Sequence, residues 1–95
     1  MEKARGYLGL FIITPEKQEQ MDEVKGSIKG IIGENSGKIL KENEIGKKRL
    51  AYPVKKKEEG IYYEVNFDAT PESITKMSRL FRINNDILRT LIDKA

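Results

Sequence analysis

The order of hydrophobic and polar residues predicts both helices and strands in this chain. Residues 7–13 are apolar at successive positions, which is typical of a strand that is covered on both faces in the centre of a sheet. Residues 61–67 alternate between apolar and polar side chains and give the clearest strand pattern. Apolar residues recur at helical spacing in segments 21–32 and 74–81, and each segment predicts an amphipathic helix.

Capping and turn residues set the predicted ends of these elements. Thr14-Pro15-Glu16 and Thr70-Pro71-Glu72 each combine a capping hydroxyl, a proline suited to the first helical position and an acid that favours the positive end of the helix dipole. Gly33 predicts the end of the first helix. Asn84-Asn85-Asp86 predicts a turn before a last strand at 87–92.

The segment between the first helix and the alternating strand is extended but strongly charged. Residues 38–54 therefore read as an edge strand, because charges discourage pairing with other chains. Gly46 predicts a bulge within this strand, and Pro53 lies near its end, where a missing amide donor does little harm. Residues 55–60 are predicted to form a charged hairpin loop.

The predicted order, βαββαβ, indicates an α+β protein with the ferredoxin-like split βαβ fold. A four-stranded antiparallel sheet would carry two helices on one face, with the first and third strands in the centre. We expect one domain over residues 1–95. Its core is predicted to contain Ile13, Ile28, Val65, Phe67, Met77 and Phe81, and the face without helices is predicted to carry Leu8, Leu10, Ile12 and Tyr62.

Composition excludes several classes of function. The 95 residues include no cysteine and no histidine, so Cys or His catalysis and the common metal centres lose their usual side chains. The carboxylates are scattered, and no glycine-rich phosphate loop occurs. We therefore predict no catalytic residue, cofactor, metal or small-molecule substrate. The short apolar run near the N-terminus suits neither a signal peptide nor a membrane span, so we expect a cytoplasmic protein that does not bind a membrane.

Two families that share this strand order fit the residues poorly. Acylphosphatases carry a phosphate cradle after the first strand, whereas residues 12–15 here read Ile-Ile-Thr-Pro. RNA-recognition motifs stack bases on aromatic residues of the third strand, and residues 60–67 match that signature badly. Tyr62 by itself is suited either to stack a base or to pack against protein.

The distribution of charge points more specifically to a function. The net charge is +3, yet residues 34–57 hold eight basic and three acidic side chains. Residues 47–49 and 55–57 are all basic, and they flank an uncharged segment on the predicted hairpin. In an extended chain Lys47 and Arg49 share one side and Lys48 the other. From composition alone this basic stripe is as consistent with a solubilising surface as with binding of a phosphate backbone.

A resemblance to a known family separates these two interpretations. The segment 46–54, Gly-Lys-Lys-Arg-Leu-Ala-Tyr-Pro-Val, with Lys56 and Gly60-Ile61-Tyr62, resembles the signature hairpin of the bacterial ribosomal protein family numbered six in the small subunit. Residues 7–15 and 82–89 resemble the family's first strand and final turn and strand. The resemblance implies a split βαβ domain that binds small-subunit (16S-type) ribosomal RNA in its central domain, together with the eighteenth small-subunit protein.

The resemblance also implies which residues make these contacts. The candidate RNA contacts are Lys47, Lys48, Arg49, Arg79, Arg82 and Arg89. Residues 50–53 are expected to shape the hairpin. We expect small ribosomal subunit protein eighteen to cover the face without helices or the adjoining sheet edge, because such an apolar face is rarely left wet. The candidate contacts on that face are Leu8, Leu10, Ile12 and Tyr62. Lys3 and Arg5 are expected to become ordered only on RNA.

One alternative of a different class shares the fold. Small regulatory domains that sense amino acids have the same topology. This function would require a dimeric sheet and a polar ligand loop after the first strand.

Overall fold

The computed structural model describes residues 4–94, in which the elements follow the predicted order. The strands are β1 (Arg5–Ile13), β2 (Lys38–Val54), β3 (Lys57–Ala69) and β4 (Ile87–Lys94). The helices are a 3₁₀ helix (Pro15–Gln20), α1 (Met21–Glu34) and α2 (Pro71–Arg82). The strands form one antiparallel sheet in the order β2-β3-β1-β4, so the ferredoxin-like split βαβ fold is confirmed. No helix within this range is long and apolar enough to cross a membrane.

The N-terminal residues can be compared with the prediction only in part. Lys3 lies outside the described residues. Arg5 is the first residue of β1 and pairs with Ala69 of β3.

Strand β1 lies in the centre of the sheet, and its residues 11–13 are buried on both faces. It pairs with β3 from Arg5 to Ile13 and with β4 along most of its length. The rings of Phe11 and Phe81 meet edge to face with centroids 4.7 Å apart. The six predicted core residues all belong to one cluster between the sheet and the helices, as predicted: Ile13, Ile28, Val65, Phe67, Met77 and Phe81.

The two Thr-Pro-Glu segments start their helices differently. The Thr70 hydroxyl accepts a hydrogen bond from the Ser73 N–H at 3.2 Å, which is the predicted cap of α2. Thr14 makes no such side-chain bond, and six residues of 3₁₀ helix precede α1, so the prediction of one continuous helix is wrong. Thr14 is buried and donates its backbone N–H to the Asp86 carbonyl at 2.9 Å, which ties it to the junction with β4.

Helix α1 ends later than the glycine signal predicted. Gly33 lies inside the helix, which runs to Glu34. The chain then turns through Ser36, whose φ of 64° is left-handed, and the Gly37 N–H donates to the Ile32 carbonyl at 2.8 Å. The residue that ends the helix in the left-handed conformation is therefore Ser36, and Gly37 follows it at a close approach to Ile32 that leaves no room for a side chain.

Strand β2 is an edge strand with three irregularities. Its register against β3 shifts around Leu40, again around Ile45, and a third time between Arg49 and Val54. The second shift falls beside Gly46, which has a φ of 114°, so the predicted bulge is confirmed. Each irregularity interrupts the even spacing of hydrogen-bonding groups that another strand would need.

Ion pairs connect this edge strand to the helix layer. Lys29 lies 2.6 Å from Glu42, and Lys25 pairs with Glu44. The hydrogen bond from Lys29 lowers the pKa of Glu42 below its ordinary value. Burial raises the pKa of the neighbouring Tyr63 hydroxyl, and the Glu42 carboxylate adds to that shift. These contacts hold the charged strand against α1.

The core predicts a large penalty for truncating Phe67. The side chain is fully buried and stacks on Tyr7 with ring centroids 6.1 Å apart. We expect Phe67→Ala to lower the free energy of unfolding by about 3–5 kcal/mol, through lost burial and the cavity left behind. Chemical denaturation measures the change. Asn66→Ala on the opposite face is the control, and a loss below about 1 kcal/mol for Phe67→Ala would contradict the packing.

Candidate nucleic-acid interface

The basic hairpin turns more tightly than its sequence predicted. Val54 pairs with Lys57, which leaves a turn of two residues, Lys55 and Lys56, with φ values of 50° and 66°. This is the conformation of a type I′ turn. The predicted loop at 55–60 is therefore wrong beyond Lys56. The charged residues that follow still form a strand, because the ladder is made by backbone groups and not by side chains.

The end of the hairpin folds back over the sheet face that carries no helix, which we call the open face. Leu50 is buried there with Ile12 and Leu88, and Val54 and Tyr62 pack against this second cluster. Gly60 permits the contact, because a side chain at that position would collide with the Ile12 methyl group. Sequence reasoning predicted that this region shapes the hairpin, but it did not predict a second small core.

A side-chain hydrogen bond fixes the hairpin to the opposite edge of the sheet. Arg89 of β4 donates through Nη1 to the Tyr52 hydroxyl at 2.7 Å, across 37 residues of sequence. Tyr52 is otherwise well exposed. Since a guanidinium carries five N–H donors, Arg89 keeps donors for a further partner.

The hairpin places an additional cation, Lys55, beside two of the predicted RNA contacts, Arg82 and Arg89. Between α2 and β4 lies a groove of about 390 Å³, which we call the α2/β4 groove. Lys55 of the turn, Arg82 of α2 and Arg89 of β4 all line it. Lys55 is not among the predicted site residues. Lys55 could have been predicted if the sequence had been interpreted as a two-residue turn, because so short a turn places the tip of the hairpin close to the sheet.

The three adjacent cations of β2 are placed on two faces, as their alternation predicts. Lys48 lies on the open face, with its ammonium 5.9 Å from the centre of the Tyr62 ring. Lys47 lies on the other side, 3.8 Å from Glu59. Arg49 is exposed and makes no ion pair with any residue from 4 to 94. Among these three cations, Arg49 is therefore the most available to an anionic partner.

Arg79 does not line the α2/β4 groove with Arg82 and Arg89. It is exposed in the last turn of α2, as Arg82 is. The structure therefore does not bring all six predicted RNA contacts together in one cluster.

The apolar residues of the open face are covered to different extents. The hairpin itself buries Ile12 and packs against Tyr62. Leu8 and Leu10 remain half-buried, and Leu91 pairs with Leu10 and is 43% exposed. The part of this face that is open to a partner thus consists of Leu8, Leu10 and Leu91. Sequence reasoning did not include Leu91, because it predicted β4 without considering which strand lies beside it.

The fold and the exposed cations define a class of protein: a small basic domain with the split βαβ fold. The sequence profile of the family described as Ribosomal protein S6 matches residues 7–94. The chain belongs to this family of small-subunit ribosomal proteins, as its hairpin signature predicted. The family is structural rather than enzymatic. Membership in this family disfavours both alternative functions, the amino-acid sensor and the acylphosphatase.

Individual relatives agree over nearly the whole chain. The small ribosomal subunit protein bS6 of Caldanaerobacter subterraneus subsp. tengcongensis is 38% identical over 91 residues, covering 93% of this chain and 94% of that protein. The protein of the same name from Clostridium novyi is 35% identical, with 93% and 94% covered. The crystal structure of 30S ribosomal protein S6 from Thermotoga maritima superposes with a TM-score of 0.89 at 29% identity, covering 98% of this chain and 89% of that one.

The turn of the hairpin predicts a stabilising substitution. Lysine is strained in the left-handed conformation, whereas Asn-Gly suits a type I′ turn. We expect Lys55→Asn with Lys56→Gly to raise the free energy of unfolding by about 1 kcal/mol. Denaturant titration measures the change. The control, Lys55→Gln with Lys56→Gln, removes the same charges but keeps the backbone strain, and an equal gain in both variants would attribute the effect to charge.

Proposed function

We propose that the chain binds small-subunit ribosomal RNA of the 16S type, in its central domain, together with small ribosomal subunit protein eighteen. The observation that carries this proposal is the convergence of cations at the end of the sheet where the hairpin folds back. Lys55, Arg82 and Arg89 come from three separate elements and line one groove. Membership in a family of small-subunit ribosomal proteins points to ribosomal RNA, a polyanion, as the partner that these cations bind.

The arrangement of these cations suits a phosphate backbone better than a base edge. Arg49 and Lys48 lie on opposite faces of strand β2. Arg89 of β4 is connected to the same hairpin by its hydrogen bond to Tyr52 on the open face. A surface of this kind can follow a folded RNA strand by contacting phosphate and sugar, which position a protein without reading sequence. The choice of RNA site then depends on the shape of the RNA and on the partner protein.

The cations are expected to contribute unequally. Arg49 has no acidic partner among the described residues, and its planar fork can bind two oxygens of one phosphate. Lys47 is partly neutralised by Glu59. We therefore expect Arg49→Lys to weaken binding of RNA more than Lys47→Arg does, because lysine lacks the fork.

A salt titration tests the contribution of the β2 cations. We expect replacement of Lys47, Lys48 and Arg49 by alanine to weaken binding of the central-domain RNA, and to lower the slope of log affinity against log salt by about 0.7–0.9 for each lost phosphate contact. The measurement is made with protein eighteen present and with folding confirmed by circular dichroism.

A matched variant controls for net charge. Lys17, Lys25 and Lys29 contact acids of this chain on the helix side of the molecule, and their replacement by alanine changes the net charge equally. This control is expected to leave the slope nearly unchanged. Equal effects of both triple variants would show that binding depends on net charge, and an unaltered slope in the first would remove the β2 cations from the interface.

The open face predicts the contact with the partner protein. We propose that Leu8 and Leu10 contact protein eighteen, together with the neighbouring Leu91, because these three are the apolar residues that the hairpin leaves uncovered. Leu10→Lys is expected to weaken co-assembly about tenfold or more, since a charge would be buried at an apolar contact. The domain should stay folded, because Leu10 pairs with Glu64, which can accept the new ammonium.

Co-purification or calorimetry with protein eighteen measures this effect. Thr75→Lys adds the same charge at an exposed position on α2 and is the control. Unchanged co-assembly of Leu10→Lys would exclude the open face from the interface, whatever the result for RNA.

A further inference from the structure

Carboxylates lie next to the two leucines of β1 on the open face. Residues directly opposite each other on paired strands share a face of the sheet, so the register identifies their neighbours. Leu10 pairs with Glu64 of β3, and Leu8 pairs with Asp93 of β4. Because paired strands are about 4.8 Å apart, these carboxylates lie on strands about 10 Å apart, one on each side of the β1 leucines.

Neither carboxylate is neutralised within the described part of the chain. Glu64 and Asp93 form no ion pair with any residue from 4 to 94, whereas Glu42 and Glu44 on the helix side are both paired with lysines. Asp93 is exposed, and Glu64 is half-buried. A basic side chain of another molecule can therefore pair with each of them, and the apolar surroundings strengthen such a pair.

The cations of the open face lie on the edge strands β2 and β4. Lys48 and Arg89 lie at the end of the face where the hairpin folds back. Lys38 and Lys41 lie on β2, and β3 separates them from the β1 leucines. The side chains directly opposite these leucines therefore carry only negative charge. This charge repels an RNA phosphate and attracts a basic segment of a protein.

We propose that Glu64 and Asp93 select a basic segment of the partner protein on the open face. The apolar side chains of this segment contact Leu8, Leu10 and Leu91, and arginine or lysine side chains on either side of them pair with the two carboxylates. The assignment rests on the proposed function, since protein eighteen is the partner that brings this segment. The acidic part of the face then takes protein, and the basic end near the hairpin is left to RNA.

Calorimetry with protein eighteen, in sodium chloride and without RNA, tests the proposal. The variant Glu64→Gln with Asp93→Asn keeps the size of both side chains and removes both charges. At about 0.1 M salt we expect it to bind protein eighteen about tenfold or more weakly than the unaltered chain does. At about 1 M salt, where screening acts within about 3 Å, the difference should fall below about threefold. Circular dichroism confirms that the variant is folded.

Two further variants separate charge from apolar contact. Asp22→Asn with Glu23→Gln removes the same two charges from exposed positions of α1 and is expected to change the affinity less than about twofold at either salt concentration. Leu10→Ala removes apolar contact and no charge. It is expected to weaken binding by a similar factor at both salt concentrations, because salt does not screen an apolar contact.

Each other outcome overturns the proposal. Unchanged affinity of the Glu64 and Asp93 variant, with weaker binding of Leu10→Ala, would keep protein eighteen on the open face but exclude the carboxylates from its recognition. Equal losses in both charge variants would show attraction by net charge alone. A gain in RNA binding with no loss of protein eighteen would assign the acidic part of the face to RNA.

Two results with the unaltered chain are also decisive. A dimer in sedimentation that the Glu64 and Asp93 variant does not form would assign the acidic part of the face to a second copy. Failure of the unaltered chain to bind protein eighteen would overturn the proposed partner together with this assignment. That result is seen before any variant is compared, so it is distinct from failure of the two carboxylates.

Discussion

The central strand β1 is apolar on both faces, and this constraint determines much of the structure. Phe11 and Ile13 enter the core beneath the helices, but Ile12 points to the opposite face, where there is no helix. Apolar surface on that face must be covered by another part of the chain or by a partner. The β2–β3 hairpin does this by folding Leu50 over Ile12, and so the long second strand cannot remain flat.

The position of the cations follows from this packing. When Leu50 is buried, the rest of the hairpin is carried across the sheet, and Tyr52 comes within hydrogen-bonding distance of Arg89. The turn then places Lys55 in the groove that Arg82 lines from α2. A hydrophobic contact is therefore responsible for assembling a charged surface from segments that are far apart in sequence. The ribosomal RNA proposal depends on that assembly.

The two edges of the sheet differ in how well they are protected from pairing with another strand, and the difference has physical causes. Glycine at 46 and the charges of β2 give bulges and ion pairs, which make this edge a poor template for another strand. Strand β4 has neither device over its last six residues, and a groove runs beside it. A protein that assembles with other molecules can use an open edge, provided that its partner matches the charge around it.

Local patterns in the chain were sufficient to predict the order of the main elements, the fold and the family. Strand alternation in residues 61–67 and helical spacing in 74–81 are local signals, so the core built around Phe67 and Phe81 could be predicted from them. The alternation of Lys47, Lys48 and Arg49 about the strand was equally readable. These features depend on the period of a single element and not on its neighbours.

Other features depend on contacts between distant segments, which no local pattern encodes. Thr14 and Thr70 occupy the same motif, yet only Thr70 caps its helix with its hydroxyl, while the backbone N–H of Thr14 is bonded to Asp86 near β4. The hairpin turn is two residues long, since backbone pairing extends through a charged segment that reads as a loop. Lys55 joins Arg82 and Arg89, and Leu91 joins Leu10, only after the chain has closed the sheet. Contacts between distant segments depend on packing and strand register, so they cannot be predicted from the sequence of either segment alone.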